Sequence, residues 1–264
     1  MSLLEGKTAI VSGAAQGLGE AFARRLAAEG ANVLLFDVQS SVEAVARGIA
    51  DGASGTVMGC TADISKRADV EAVVNLAVAE LGGVDILVNN AGVWKETPVD
   101  SSWEQAVADW DFVMGTNLKG LLMLSRACVP HMQAKGEGDI VNLSSYYVLP
   151  ARSGGTNPPR TDLYSASKWA LNGFTDAWSK YLAKDNIRVN GLCMGATDTP
   201  MLRGLTPDGS LPPGLEDVVM SSDQIAGLMI DLLRDGRTGE NIGAWVGSPV
   251  ELGPVKAAHQ RITG

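Results

Sequence analysis

Thr8-Ala9-Ile10-Val11-Ser12-Gly13-Ala14-Ala15-Gln16-Gly17-Leu18-Gly19 is the stretch on which the fold turns. It opens with an apolar run that does not alternate, as expected of a strand covered on both faces. A glycine-rich turn follows. Residues 17–29 then read as a helix, with Phe22 and Leu26 on one face and Arg24, Arg25 and Glu29 on the other, stopped by Gly30. A glycine turn between a strand and a helix brings backbone N–H groups and the positive helix end to one point, where a pyrophosphate can bind. The competing reading is a turn that merely packs closely on a sheet. The spacing Gly-x-x-x-Gly-x-Gly departs from the commonest dinucleotide fingerprint. Gly13, Gln16, Gly17, Leu18 and Gly19 are the candidate phosphate-binding residues.

Outward from this unit the same alternation continues. Further strands are expected at 32–36, 56–60, 84–88, 139–143, 187–192 and 242–246, and helices at 40–50, 66–81, 163–183 and 223–233, with a long helical region at 101–134. Strand–helix alternation along the whole chain predicts an α/β fold: one doubly wound domain over residues 1–264, with a parallel sheet of about seven strands and helices on both faces. Residues 149–161 carry Gly154-Gly155 and Pro158-Pro159, and residues 204–217 carry three prolines and three glycines. Both read as loops. Substrate loops are therefore expected around 149–161 and 200–222.

Composition narrows the functions. Of 264 residues 45% are apolar and 19% charged, enough for a large core, and the net charge is −9 with no Lys/Arg-rich run. That argues against nucleic acid and anionic membrane surfaces as partners. No apolar stretch approaches the roughly 18 residues that span a bilayer, and the start lacks the basic-then-apolar order of a signal peptide. Cys60, Cys128 and Cys193 are odd in number and widely spaced, which suggests a reducing, cytoplasmic setting. Two histidines, His131 and His259, without a Cys-x-x-Cys pair argue against a metal site.

Asp37, at the end of the second strand and 18 residues after Gly19, can accept hydrogen bonds from both hydroxyls of an adenosine ribose and would repel a 2′-phosphate. Positions 14, 15, 16 and 38 carry no Arg or Lys to attract that phosphate, so NAD is expected over NADP. A turn or helix cap is the other reading of Asp37. Asp63, between Ala62 and Ile64 after the third strand, either meets the adenine or caps the next helix. Asn89-Asn90-Ala91-Gly92 ends the fourth strand in small residues and amides, which suit close passage of a ligand or an ordinary turn.

Tyr164 and Lys168 are four apart on a predicted helix, so they share a face. A tyrosine is a poor base at neutral pH because its pKa is about 10, and a nearby ammonium would lower it. Such a pair can move a proton to or from an alcohol oxygen while a cofactor handles the hydride. Of the four tyrosines only Tyr164 has a lysine at plus four. Chance gives one such pair roughly one time in seven, so its force comes from the glycine turn and strand order around it.

With Ser12-Gly13-x-x-x-Gly17-x-Gly19, Asn89-Asn90-Ala91-Gly92, Asn117, Val141-Asn142-Leu143-Ser144-Ser145, Tyr164-x-x-x-Lys168 and Arg188-Val189-Asn190 in this order, the sequence resembles the short-chain dehydrogenase/reductase family in its compact single-domain form. The resemblance covers nearly the whole chain. It implies an NAD-dependent alcohol dehydrogenase or ketoreductase. Tyr164 would be the general acid/base, and Lys168 would bind the nicotinamide ribose and lower the tyrosine pKa. Ser145, with Ser144 as its rival, would hydrogen-bond the substrate oxygen. Asn117 would hold a water linking Lys168 to solvent. Val38, Asn90, Ala91, Gly92, Gly195, Thr197 and Thr199 would complete the cofactor site. A homotetramer or homodimer is the expected assembly.

Trp94, Tyr147, Val148, Met201, Leu202 and Leu205 are expected to line the substrate pocket in part, favouring a bulky, weakly polar secondary alcohol or ketone, cyclic or aryl. A cis-dihydrodiol dehydrogenase and a dinucleotide-binding sensor without catalysis are the alternatives. The chain departs from the family pattern in three places. Nineteen positions separate Ser145 from Tyr164, longer than usual, so 149–161 either walls the pocket or is a tolerated insertion. Met194-Gly195 stands where many members have Pro-Gly. The usual glycine-rich ending is replaced by Trp245-Val246-Gly247-Ser248-Pro249, and the tail either reaches a neighbouring subunit or frays.

Overall fold

The computed structural model of the chain describes residues 2–148, 159–217, 219–244 and 252. Seven strands form one parallel sheet in the order β3-β2-β1-β4-β5-β6-β7. They are β1 (Thr8–Ser12), β2 (Asn32–Asp37), β3 (Val57–Thr61), β4 (Ile86–Asn89), β5 (Gly138–Ser145), β6 (Ile187–Met194) and β7 (Asn241–Ala244). The helices are α1 (Gly17–Ala28), α2 (Val42–Ala50), α3 (Arg67–Leu81), α4 (Trp103–Met114), α5 (Leu121–Lys135), α6 (Asp162–Leu182), the short α7 (Pro200–Arg203) and α8 (Ser222–Asp235).

β1 lies against β2 on one side and β4 on the other, with Ile10 beside both Leu34 and Leu87. Strand order reverses at β1 and β4, so the crevice at their carboxyl ends is the switch point where ligands bind in open α/β sheets. Alternation along each strand sorts the core into two layers. Ile10, Leu34, Leu87 and Ile140 pack with Val73, Val74 and Leu124 of α3 and α5. Val11, Val33, Leu35, Val88 and Val141 pack with Phe22 and Leu26 of α1 and Ile225 and Met229 of α8. Because both faces are covered, the strands read as continuous apolar runs.

Some boundaries differ from the sequence expectation for identifiable reasons. β4 starts at Ile86, not at 84; the Asp85 backbone still bonds to Thr8 and Asp139, while its carboxylate accepts from the Thr8 amide at 2.8 Å and from Lys135 Nζ at 2.7 Å. The helical region 101–134 is broken by a π-helical turn, Gly115–Gly120, between α4 and α5. β5 and β6 run two residues further than expected, to Ser145 and Met194. The last strand is described to Ala244; Trp245 and Val246 lie outside the described residues, as do 149–158 and nearly all of the C-terminal tail. α8 opens in a reciprocal cap: Ser221 Oγ accepts from Gln224 N, and Gln224 Oε1 accepts from Ser221 N. Among the described residues no helix is long and apolar enough to cross a membrane, and no group of His, Cys, Asp and Glu could hold a metal ion.

Candidate active site

A cleft of about 810 Å³ lies where the strands β1 to β6 end. All of the candidate site residues line it except Gly19, Asn117 and Val148. At one end is the glycine turn. Gly13 has φ +64°, and a Cβ there would stand 2.7 Å from Ala91 Cα. Asn90 locks the turn to the end of β4: its Nδ2 donates to the carbonyls of Ser12 at 3.0 Å and Gly13 at 2.9 Å, while its amide donates to Ser12 Oγ. The turn is thus held from outside, with Gln16, Gly17 and Leu18 on the cleft wall.

Asp37 is buried at the end of β2, yet it lines the cleft. Its carboxylate accepts from the Ala15 amide at 3.1 Å and the Gln39 amide at 2.9 Å. A carboxylate has roughly four lone-pair sites, so two remain for ribose hydroxyls. These free acceptor sites fit the ribose of an adenosine. Lys66, not Asp63, is the N-cap of α3, and the Asp63 carboxylate closes a local turn before it. Oδ1 accepts from the Ser65 amide and hydroxyl at 2.9 and 2.7 Å, in a turn leading to α3, and the residue still faces the cleft beside Ala62 and Ile64.

The second end holds Tyr164 and Lys168, one turn apart on α6, with Lys168 Nζ 5.7 Å from the centre of the tyrosine ring. The serine pair at the end of β5 splits cleanly. Ser144 Oγ donates to the backbone carbonyl of Lys168 at 3.1 Å, whereas Ser145 hydrogen-bonds the phenol of Tyr164. Both serines line the cleft, but only Ser145 acts on the phenol. Burial pushes the Tyr164 phenol up to about 12; Tyr147 adds to the rise, and the bond to Ser145 partly offsets it. Burial likewise pushes the Lys168 ammonium down to about 8. The expected lowering of the tyrosine by Lys168 is therefore not present in the protein alone. The Lys168 amine sits over the ring and donates to the carbonyl of Leu143 at 2.8 Å, but an amine pushed down to about 8 is already neutral where a phenol held up to about 12 ionises.

Asn117 sits in the π turn, fully buried. Its Oδ1 accepts from the Val93 amide at 2.8 Å, and its Nδ2 donates to the Val93 carbonyl at 2.9 Å and to Ser167 Oγ at 3.1 Å. The side chain is a brace between the segment after β4 and α6.

Trp94, Tyr147, Met201, Leu202 and Leu205 line the cleft, but Val148 does not. A 3-10 turn, Tyr146–Val148, follows β5; it leaves Tyr147 on the cleft and buries Val148 completely. Met194 lines the cleft at the end of β6, where the family pattern has proline. Thr197 and Thr199 shape the next bend. Thr197 Oγ1 donates to the Gly195 carbonyl, and Thr199 Oγ1 caps α7 by accepting from the Leu202 amide. The sequence reading missed Asp111, Phe112 and Thr116 of the α4–π segment, and Pro212 and Leu215 of the 204–217 loop, all on the cleft wall. Phe112 and Thr116 are four apart on one helical face, but nothing in the local pattern showed that this face turns to the site.

The model of the short chain dehydrogenase family matches residues 7–209. The chain belongs to that family. It is 36% identical over 203 residues to a 3-oxoacyl-[acyl-carrier-protein] reductase of Thermotoga maritima, covering 76% of this chain and 78% of the relative. It is 32% identical over 224 residues to a D-beta-hydroxybutyrate dehydrogenase of Rhizobium meliloti, covering 84% and 83%. Among solved structures, a 3-ketoacyl-(acyl-carrier-protein) reductase from Brucella melitensis complexed with NADH superposes with a TM-score of 0.76 at 32% identity, covering 92% of this chain and 98% of that one.

Proposed function

We propose that the chain is an NAD-dependent dehydrogenase acting on a neutral, weakly polar secondary alcohol or its ketone, cyclic or aryl. The observation that carries the substrate class is the charge of the cleft. Among the described lining residues Lys168 is the sole cation, while Asp37, Asp63 and Asp111 are acidic. Among the described residues the arginines beside the loops are paired, Arg203 with Asp198 at 2.7 Å and Arg160 with Glu96 at 3.1 Å, while Arg152 lies outside the described residues. An anionic carrier or phosphate-bearing thioester gains little from such a wall. The relative named for acyl-carrier-protein substrates marks the competing class.

NAD, when bound, accepts the hydride from the carbinol carbon and returns it in the reverse direction. The glycine turn and Asp37 hold the adenosine half; Gly195, Thr197 and Thr199 border the nicotinamide half. Asp37 favours NAD over NADP, because a second anion there would meet a carboxylate. Tyr164 takes the hydroxyl proton in oxidation and gives it back in reduction. Ser145 donates to the same oxygen and stabilises the charge that develops on it. Lys168 holds the ribose and supplies positive charge beside the phenol. Asn117, braced in the π turn, holds a water that links Lys168 to solvent. The chain works as one dinucleotide-binding unit in a cytoplasmic homotetramer or homodimer.

The test is NADH formation by the purified protein over a panel of cyclic, aryl and aliphatic secondary alcohols, a cis-dihydrodiol and a 3-hydroxyacyl thioester. Turnover of the neutral alcohols, lost in Tyr164→Phe with NADH binding retained, is the expected result. Preference for the thioester overturns the substrate class. Normal turnover by Tyr164→Phe overturns the assignment of the proton carrier.

A further inference from the structure

Tyr164 is the third residue of α6, in a first turn whose own N-cap residue makes no side-chain cap bond. A first turn leaves backbone N–H groups unpaired and frays unless something outside the helix fixes it. That something comes from the segment after β4. Thr97 forms an isolated parallel bridge with Thr161, and its amide donates to the Arg160 carbonyl at 2.7 Å. Its hydroxyl donates to Asp162 Oδ1, the same oxygen that accepts from the Leu163 amide at 2.7 Å, and Leu163 N stands 3.5 Å from Thr97 Oγ1. Thr97 and Thr161 are both buried. The same segment is pinned upstream, by Asn117 at Val93 and by the ion pair of Lys95 with Asp109 of α4.

We propose that Thr97 is a positioning residue for catalysis, capping the Tyr164 helix from outside and fixing the phenol against Ser145. The inference rests on the reading of Tyr164 as the proton carrier. The hydroxyl of Thr97 holds the Asp162 carboxylate at the helix N-terminus, where negative charge is favoured, and the bridge to Thr161 sets where the helix begins. A second strut reaches the same turn: Asn117 Nδ2 donates to Ser167 Oγ, which donates to the carbonyl of Tyr164 at 2.7 Å. Thr97 fixes the start of the turn and Asn117 its end. Trp94 lies between Val93, which Asn117 holds, and Thr97, and it lines the cleft, so one short stretch sets both a wall of the pocket and the place of the phenol.

The experiment compares Thr97→Val, Thr97→Ser and Asp162→Ala with the parent protein. Thr97→Val keeps the shape and removes the hydroxyl. The expected result is a kcat about tenfold lower, as for a lost cap that lets the reacting group wander, with KM for NAD and NADH affinity unchanged. Thr97→Ser, which keeps the hydroxyl, should restore kcat to within about twofold of the parent. Asp162→Ala should repeat the loss, and the double variant should be no worse than either single one. Parent-like kcat in Thr97→Val overturns the proposal, as does an equal loss in Thr97→Ser. If Thr97→Val is insoluble, Asp162→Ala decides by the same criterion. Amide exchange at Ser165, whose N–H closes the first helical bond to the Thr161 carbonyl, gives a readout free of activity. Faster exchange in Thr97→Val is expected; unchanged exchange overturns the clamp whatever Tyr164→Phe shows. If Tyr164→Phe stays active while exchange still rises, the clamp stands and the role of Tyr164 falls.

Discussion

A Cβ placed on Gly19 would lie 2.1 Å from the carbonyl oxygen of Gly13 and 2.6 Å from Asn90 Nδ2. Gly19 is buried and does not line the cleft, so it serves the cofactor by letting α1 sit down on the turn. The obstacle is backbone, which cannot swing aside. Gly19→Ala should therefore cost about 1–3 kcal/mol of stability, as overpacking does, and weaken NADH binding more than tenfold. Thermal unfolding and NADH fluorescence titration check it together.

Asp37 should decide between the two nicotinamide dinucleotides. Its carboxylate is fixed by two amides, so it cannot turn away from a 2′-phosphate. Asp37→Ala should lower kcat/KM with NAD by about tenfold or more and raise the ratio of NADP to NAD efficiency, since the repulsion goes with the charge. Initial rates with both cofactors measure it. An unchanged ratio would remove Asp37 from the specificity argument.

The serine pair makes opposite predictions for neighbouring residues. Ser145→Ala removes the bond to the phenol and the donor to the substrate oxygen, and kcat should fall by about a hundredfold or more. Ser144→Ala removes a buried bond to the Lys168 carbonyl and should appear mainly as about 1 kcal/mol of lost stability. Steady-state kinetics and denaturant unfolding of both variants separate the roles.

The pH dependence follows from the burial of Tyr164. With the phenol held up to about 12, the protonated form dominates at neutral pH. Reduction, which needs a proton donor, should be flat through neutrality. Oxidation in the free enzyme needs the phenolate, so its kcat/KM should climb about tenfold per pH unit while that form is scarce. The same shift has a stability sign. An acid whose folded pKa exceeds its unfolded value of about 10 stabilises the fold below pH 10, and that contribution is lost as pH rises towards 12. Tyr164→Phe should flatten this alkaline decline in melting temperature.

The strands were legible because a sheet covered on both faces must be apolar throughout, and runs such as Thr8–Ser12 and Asn32–Asp37 say so without tertiary context. Tyr164, Lys168 and the glycine turn were legible because their chemistry depends on short, fixed spacings. What the sequence hid depends on distant partners. Ser144 and Ser145 are equivalent as letters and differ only in where α6 lies. Asn117 read as a residue in an ordinary helix, because one extra residue per turn in Gly115–Gly120 leaves no mark in the apolar pattern. Thr97 gave no local signal at all; its partners Arg160, Thr161 and Asp162 lie more than sixty positions away.

The placement of β1 bears on how the chain is made. Of the seven strands it is the first to be synthesised, yet it belongs inside the sheet, with β2 on one flank and β4 on the other. Until Ile86 to Asn89 emerge, the nascent chain carries a strand of buried residues with an open edge, the kind of surface that seeks a wrong partner. Vectorial synthesis thus leaves the glycine turn unsupported until Asn90 arrives to brace it, so an N-terminal fragment ending before β4 is expected to need a chaperone and to bind no nucleotide.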